Sequence, residues 1–174
     1  TLMFAFSIKS QVIITEIADP NNDTQARFIE LTNIGDSAFD LTGYQLVRWT
    51  NANTAYTTSS AVDLSEFGSL QSKGILTLAN NTKFETVYGV APTKVVGSGG
   101  PADSNGDDNI AILDPNGSIY DVYGVPGTDG TGQPHEFEDG RAERKGSVTA
   151  PSSTWDLNEW NIDNDAGATS AAHV

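Results

Sequence analysis

The stretch VIITEIADPNNDTQARFIELTNIGDSAFDLTGYQL, residues 12–46, decides the fold. VIITEIA is dense in β-branched residues, which suit a pleated, half-buried surface, and it stops at the turn formers Asp19-Pro20-Asn21-Asn22-Asp23. RFIELTN then alternates apolar and polar positions, the period of a strand with one wet face, and ends at Ile34-Gly35-Asp36. FDLTGYQLVRW carries Gly43, which marks a bend or bulge between two short strands, with Tyr44, Leu46 and Trp49 offered to a core.

Working outward, Ala61 to Leu64 and Gly74 to Leu78 add two strand candidates, and Phe84 to Gly89 reads equally as a strand or a helical turn. GSGGPADSNGDDN is the clearest loop. It leads into NIAILD, and Asp114-Pro115-Asn116-Gly117 then signals a hairpin with SIYDVYG as the returning strand. A second polar loop runs from Val125 to Pro134, ahead of a last ordered segment near Trp160. No repeat of fixed period is visible, so the expectation is an all-β protein of two packed sheets.

With 174 residues the chain is sized for one domain with its own core. A net charge of −14 repels phosphate backbones and anionic lipid heads, which disfavours nucleic-acid and membrane-surface binding; the three basic residues Arg141, Arg144 and Lys145 make a weak anion footprint. The absence of cysteine excludes disulfides, thiolate metal sites and cysteine nucleophiles. The first ten residues, TLMFAFSIKS, are apolar and end in a small residue before Gln11, as the tail of a secretory signal peptide does, with a first strand as the other reading. No apolar stretch approaches the ~20 residues that span a bilayer. The expected division is a leader over 1–10, a domain over 11–162 and a flexible tail or linker over 163–174, in an extracytoplasmic, secreted or cell-surface setting.

The Ile-Thr-Glu-Ile strand, the Arg-Phe-Ile-Glu-Leu-Thr-Asn strand and the Asp-Leu-Thr-Gly-Tyr turn together resemble the lamin tail domain family. GDDNIAILDPNGSIYDVYGVPG is similar to that family's late hairpin, and RAERKGSV with STWDLNEW resembles the closing segment of its bacterial members, so the likeness runs from Val12 to Ile162. The resemblance implies an immunoglobulin-like β-sandwich used as an appended interaction or positioning module, one that occurs beside nucleases, proteases and adhesins in bacteria. The long 47–75 and 125–140 segments depart from the shortest members, and no heptads support a filament-forming rod.

Six sets of residues are candidates for chemistry. Asp103, Asn105 and Asp107 place oxygens at alternate positions, with Asp114 eleven residues after Asp103, the spacing of a calcium loop; Asp108 stands where an EF-hand needs glycine, so only a looser calcium site is expected. Glu16 and Glu30 can share a face on neighbouring strands, with acid/base work set against plain bonding to strand-end amides, Arg27 or Arg48. The Asp19–Asp23 turn is a second, weaker cation candidate set against a plain Asx-type turn. His135 lacks a nucleophile motif nearby and is expected at the surface, and His173 lies in the tail. The three tryptophans are expected mostly in the core, Trp160 above all. Asn22 and Asn80 head Asn-x-Thr sequons.

The function expected is a non-catalytic accessory domain of an exported protein that binds a protein, glycan or matrix partner through edge strands and loops. A calcium-stiffened adhesion or spacer module and a part of a secreted nuclease-type enzyme are the alternatives. Calcium is the only cofactor implied, and the oligomeric state stays open.

Overall fold

The computed structural model describes residues 11–164. The expected leader and most of the expected tail lie outside them. Twelve strands and one short helix follow in chain order: β1 (Val12–Ala18), β2 (Phe28–Asn33), β3 (Phe39–Asp40), β4 (Gln45–Trp49), β5 (Val62–Asp63), β6 (Ser69–Leu70), β7 (Ile75–Ala79), α1 (Lys83–Tyr88), β8 (Lys94–Val95), β9 (Asn109–Leu113), β10 (Ile119–Tyr123), β11 (Arg141–Arg144) and β12 (Trp160–Asp163). They build a six-stranded sheet, β12-β11-β1-β2-β7-β8, a four-stranded sheet, β10-β9-β4-β5, and a small β3-β6 ribbon. Every pairing is antiparallel except β7 with β8. The all-β, immunoglobulin-like sandwich expected from the sequence is the fold observed.

Strand period sets the layers. Ile29 and Leu31 of β2, Leu76 and Leu78 of β7, Leu46 of β4 and Ile110 and Ile112 of β9 turn inward and merge into one core with Tyr123, Phe137 and Trp160. Fully burying such a side chain contributes about 1.5–3 kcal/mol, which explains how the sandwich holds without disulfides. β1 breaks its own alternation: Val12 and Ile14 point into the core, the register slips between Ile14 and Glu16, and Ile17 points in again. That bulge at Thr15 turns Glu16 outward; unbroken alternation would have buried it with Ile14.

Local chemistry explains the connections. The Asp114 carboxylate accepts from the amides of Asn116 and Ser118 (2.9 and 2.8 Å), closing the hairpin between β9 and β10. Gly43 has φ +80°, and a Cβ there would stand 3.0 Å from Pro115, so the bend and the hairpin tip press together. The 61–64 strand is shorter than expected, because Asp63 accepts from the Ser65 amide and starts a 3-10 turn at Leu64. The undecided 84–89 segment is helix α1, whose Phe84 and Tyr88 pack at 5.2 Å against Phe28 on the outer face of the six-stranded sheet. β12 takes in Asp163, one residue past the expected boundary, opposite Arg141.

Candidate binding surface

At one end of the sandwich the polar loops close on each other. Asp103 accepts through Oδ1 from Arg27 (3.2 Å) and Asn80 (2.7 Å) and through Oδ2 from the Gly99 amide (2.7 Å). Arg48 donates to the Asp103 carbonyl and to Asp108 Oδ2 at 3.0 Å, and the Asn51 amide donates to Asp108 Oδ1. Burial pushes the Asp108 carboxyl up from its ordinary value against the pull of Arg48. Arg27 also donates to Asp19 at 2.6 Å, so Asp19 anchors an arginine, and only Asp23 makes the expected Asx turn, with Gln25.

The proposed calcium ligands are therefore not assembled. Asp107 accepts from the Asn51 side chain, leaving its Oδ1 buried without a partner, and Asn105 is exposed. Asp114 caps the hairpin at the far end of β9, and at about 3.3 Å per extended residue it stands some 20 Å from Asp108. Among the described residues no group of three or more His, Asp or Glu is placed to hold a metal. Asn80 is 5% exposed and engaged with Asp103, so of the two Asn-x-Thr sequons only Asn22 is open.

The 125–140 segment seals the same end. The Gly130 amide donates to Asp107 O, the Phe137 amide to Gly106 O and the Asn109 side chain to Thr128 O, all between 2.8 and 2.9 Å. Gly106 has φ +98°, and a Cβ there would collide with the backbone of Glu138. His135, expected at the surface, is 2% exposed, with its ring 5.5 Å from Trp155 and its carbonyl accepting from Tyr123 Oη at 2.7 Å. Burial lowers its imidazole pKa. The neighbouring Phe137, wholly buried, is what draws this polar segment inward.

On the outer face of the six-stranded sheet, Glu143, Glu16 and Glu30 stand opposite one another across β11, β1 and β2, as the strand period suggested for the Glu16–Glu30 pair. Their partners differ from those expected. Glu30 accepts from Thr15 at 2.6 Å and Glu16 meets Arg141 at 3.5 Å, because Arg27 and Arg48 are held at the loop end. Burial, with Glu143 and Glu30 nearby, raises Glu16 to about 7 against the opposing charge of Arg141.

Beneath that sheet lies an ion pair that the sequence alone did not disclose. Arg144 grips both oxygens of Asp121 (3.1 and 3.0 Å), which also accepts from the amides of Ile14 and Ser152, and a second nitrogen of Arg144 meets Glu159 at 2.5 Å. Arg144 lies 4.8 Å from the centre of the Trp160 ring. Asp121 belongs to the four-stranded sheet and Arg144 to the six-stranded one, so the pair fastens the two layers at their β10–β11 side. Arg144 is thus no part of a surface patch. The strand period could have shown this, since Arg144 shares a face with Ala142, which is buried.

A family model described as Lamin Tail Domain matches residues 7–127, well over half of the chain. The chain belongs to the lamin tail domain family. Its matched span covers β1 to β10, and the two strands beyond it complete the six-stranded sheet, β11 by pairing with β1 and β12 by pairing with β11. A search of curated proteins returns no match.

What this lamin tail domain leaves open lies away from the loop end. Past the acidic row, toward the start of β1, the turn closed by Val148 N donating to Lys145 O stands beside the outer face of β1 and β2. Between them is a cleft of about 370 Å³ lined by Ile13, Thr32, Ile34 and Val148, with Lys73 and Lys145 at its border.

Proposed function

We propose that this lamin tail domain is an exported, non-catalytic accessory module that binds a protein, glycan or matrix partner on the outside of its sandwich. The family is one of immunoglobulin-like domains with structural or binding roles. One observation supports the non-catalytic reading above the rest: the ionisable groups that offered chemistry are spent on structure. Asp103 and Asp108 hold arginines, His135 is buried within the 125–140 segment, and the Glu16–Glu30 row lies on the outer face of the six-stranded sheet. Acid/base catalysis needs such groups gathered round a substrate with their pKa values split. The apolar 1–10 segment ahead of Gln11 supports export.

The test is a nuclease assay on the folded chain with magnesium or calcium, run beside protein and glycan arrays. Turnover at background with a hit on one array is the expected outcome. Cleavage that disappears in Glu30→Ala would return the domain to the enzymes, and silence on both arrays would leave it a passive spacer.

A further inference from the structure

We propose that the cleft over Ile13, Ile34 and Val148 is a peptide site, which seats a short protein segment carrying an aliphatic side chain next to a carboxylate. This rests on the binding-module reading and names the partner class and its seat.

Charge carries the first step. The chain has 9 basic and 23 acidic residues, yet three of the basic ones, Lys73, Arg144 and Lys145, line this cleft and, among the described residues, no Asp or Glu does. Arg144 is spent on Asp121 and Glu159, which leaves two ammonium groups. Lys145 donates to the Asn158 carbonyl and meets no carboxylate within ion-pair distance among the described residues. Lys73 meets Asp36 at 3.5 Å, but that carboxylate is 86% exposed, a pairing that water screens heavily. A depression cleared of carboxylates on so acidic a surface attracts an anion locally.

Backbone and floor carry the rest. Lys73 sits at φ +60°, a left-handed conformation that disfavours any residue with a Cβ by about 1–2 kcal/mol, and it keeps a lysine there where glycine would be easier. Ile13 is 2% exposed on the outer face, with Ile34 and Val148 half-buried beside it and the hydroxyls of Thr15 and Thr32 between. Such a floor fits an aliphatic side chain. Among the described residues no aromatic ring lines it to stack a sugar or a base, and two ammonium groups are too few to follow a polyanionic chain. Its volume matches a pocket for one or two side chains. The cleft along residues 59–66 and 94–96 has no comparable charge, because Lys94 is held by Glu66 at 2.5 Å.

Fluorescence anisotropy on the full chain tests this with a fluorescein-labelled decapeptide containing Leu-Glu-Asp-Leu and two controls, Leu-Gln-Asn-Leu and Gly-Glu-Asp-Gly. The first peptide binds with Kd of roughly 10–500 μM and each control at least about tenfold more weakly. The Lys73→Glu/Lys145→Glu variant and Val148→Asp each lose at least about tenfold with an unchanged melt, while Lys94→Glu binds as the parent does. Equal binding of the uncharged control, an equal loss in Lys94→Glu, or silence of all three peptides overturns the proposal. So does binding that emerges only when residues 1–10 are removed, which would give the cleft to that segment, or tighter capture of a heparin octasaccharide lost in the same double variant. An array hit alongside silent peptides would leave the module reading standing without this site.

Discussion

The two ends of this sandwich use charge in opposite ways. At the loop end, Arg27 and Arg48 are half-buried and paired with Asp19, Asp103 and Asp108, and the 125–140 segment packs against the same loops. At the other end, Lys73 and Lys145 stand around an apolar cleft with little to neutralise them. A guanidinium is a planar fork that satisfies several fixed acceptors at once, whereas an ammonium on a flexible stem stays hydrated and available. Arginines therefore hold the loops in place, and lysines remain free to meet a partner. The long polar loop that composition marks as a contact surface is largely structure, and the contact surface we propose falls on a sheet face instead.

The largest expected effect breaks that contrast at its closed end. Asp108→Asn keeps the shape of the side chain but leaves Arg48 without its counter-charge, and removing one partner of a buried pair typically costs about 3–5 kcal/mol. Arg48 keeps its bonds to the Asp103 and Gly99 carbonyls, so a loss near the lower end, about 3 kcal/mol, is expected in urea unfolding. Lys145→Ala at the open end changes stability by no more than about 0.5 kcal/mol. Equal losses would mean that the two ends do not differ in kind.

Between the ends lies the acidic row, where a smaller and pH-dependent effect is expected. In the folded chain Glu16 titrates at about 7, against 4.5 for the free carboxyl, so folding favours its protonated form. That contribution is fully present below pH 4.5 and is lost as pH rises through about 7. Glu16 keeps a fifth of its side chain exposed, and solvent screening reduces the cost of its charge at pH 8 to about 1 kcal/mol. Glu16→Gln should therefore melt about 2–4 °C higher than the parent at pH 8 and alike at pH 4.5. Parallel melting profiles across that range would place the pH response elsewhere.

How far these features were legible depended on whether they were written in local chemistry. The 12–46 stretch carries its strands in β-branched runs and its turns in Asp, Asn and Gly, and the β9–β10 hairpin is announced by Asp114-Pro115-Asn116-Gly117; each signal is local, and each held. The bulge at Thr15 leaves no such mark, because it is decided by which neighbours β1 must reach. The inward face of Arg144 could be read from its strand period, but its partner Asp121, 23 residues away, could not, and nothing local marks the burial of His135, carried inward by Phe137 and the fit of Gly106 against Glu138. Side chains that complete long-range networks look like ordinary polar residues along the chain. The cleft is illegible for that reason too, since its walls come from four separate segments.

The smallest expected effect is none at all, and it bears on the closed end. Spacing along the chain suggested that Asp103, Asn105, Asp107 and Asp114 could gather round calcium, but the ion requires six to eight oxygens within about 2.3–2.6 Å, and β9 carries Asp114 well beyond that reach. Asp103 already has its oxygens engaged by Arg27, Asn80 and Gly99, and an ion entering there would meet the half-buried positive charge of Arg27. The unpartnered Oδ1 of Asp107 supplies a single ligand. The thermal midpoint should therefore stay the same from chelator to millimolar calcium, whereas a ligand held at a hundred times its Kd would stabilise the folded chain by about 2.7 kcal/mol and raise the midpoint by several degrees. A rise of that size, abolished by Asp107→Asn and kept in Asp114→Asn, would show that the loop end opens to admit a cation and that its arginines are not the permanent occupants.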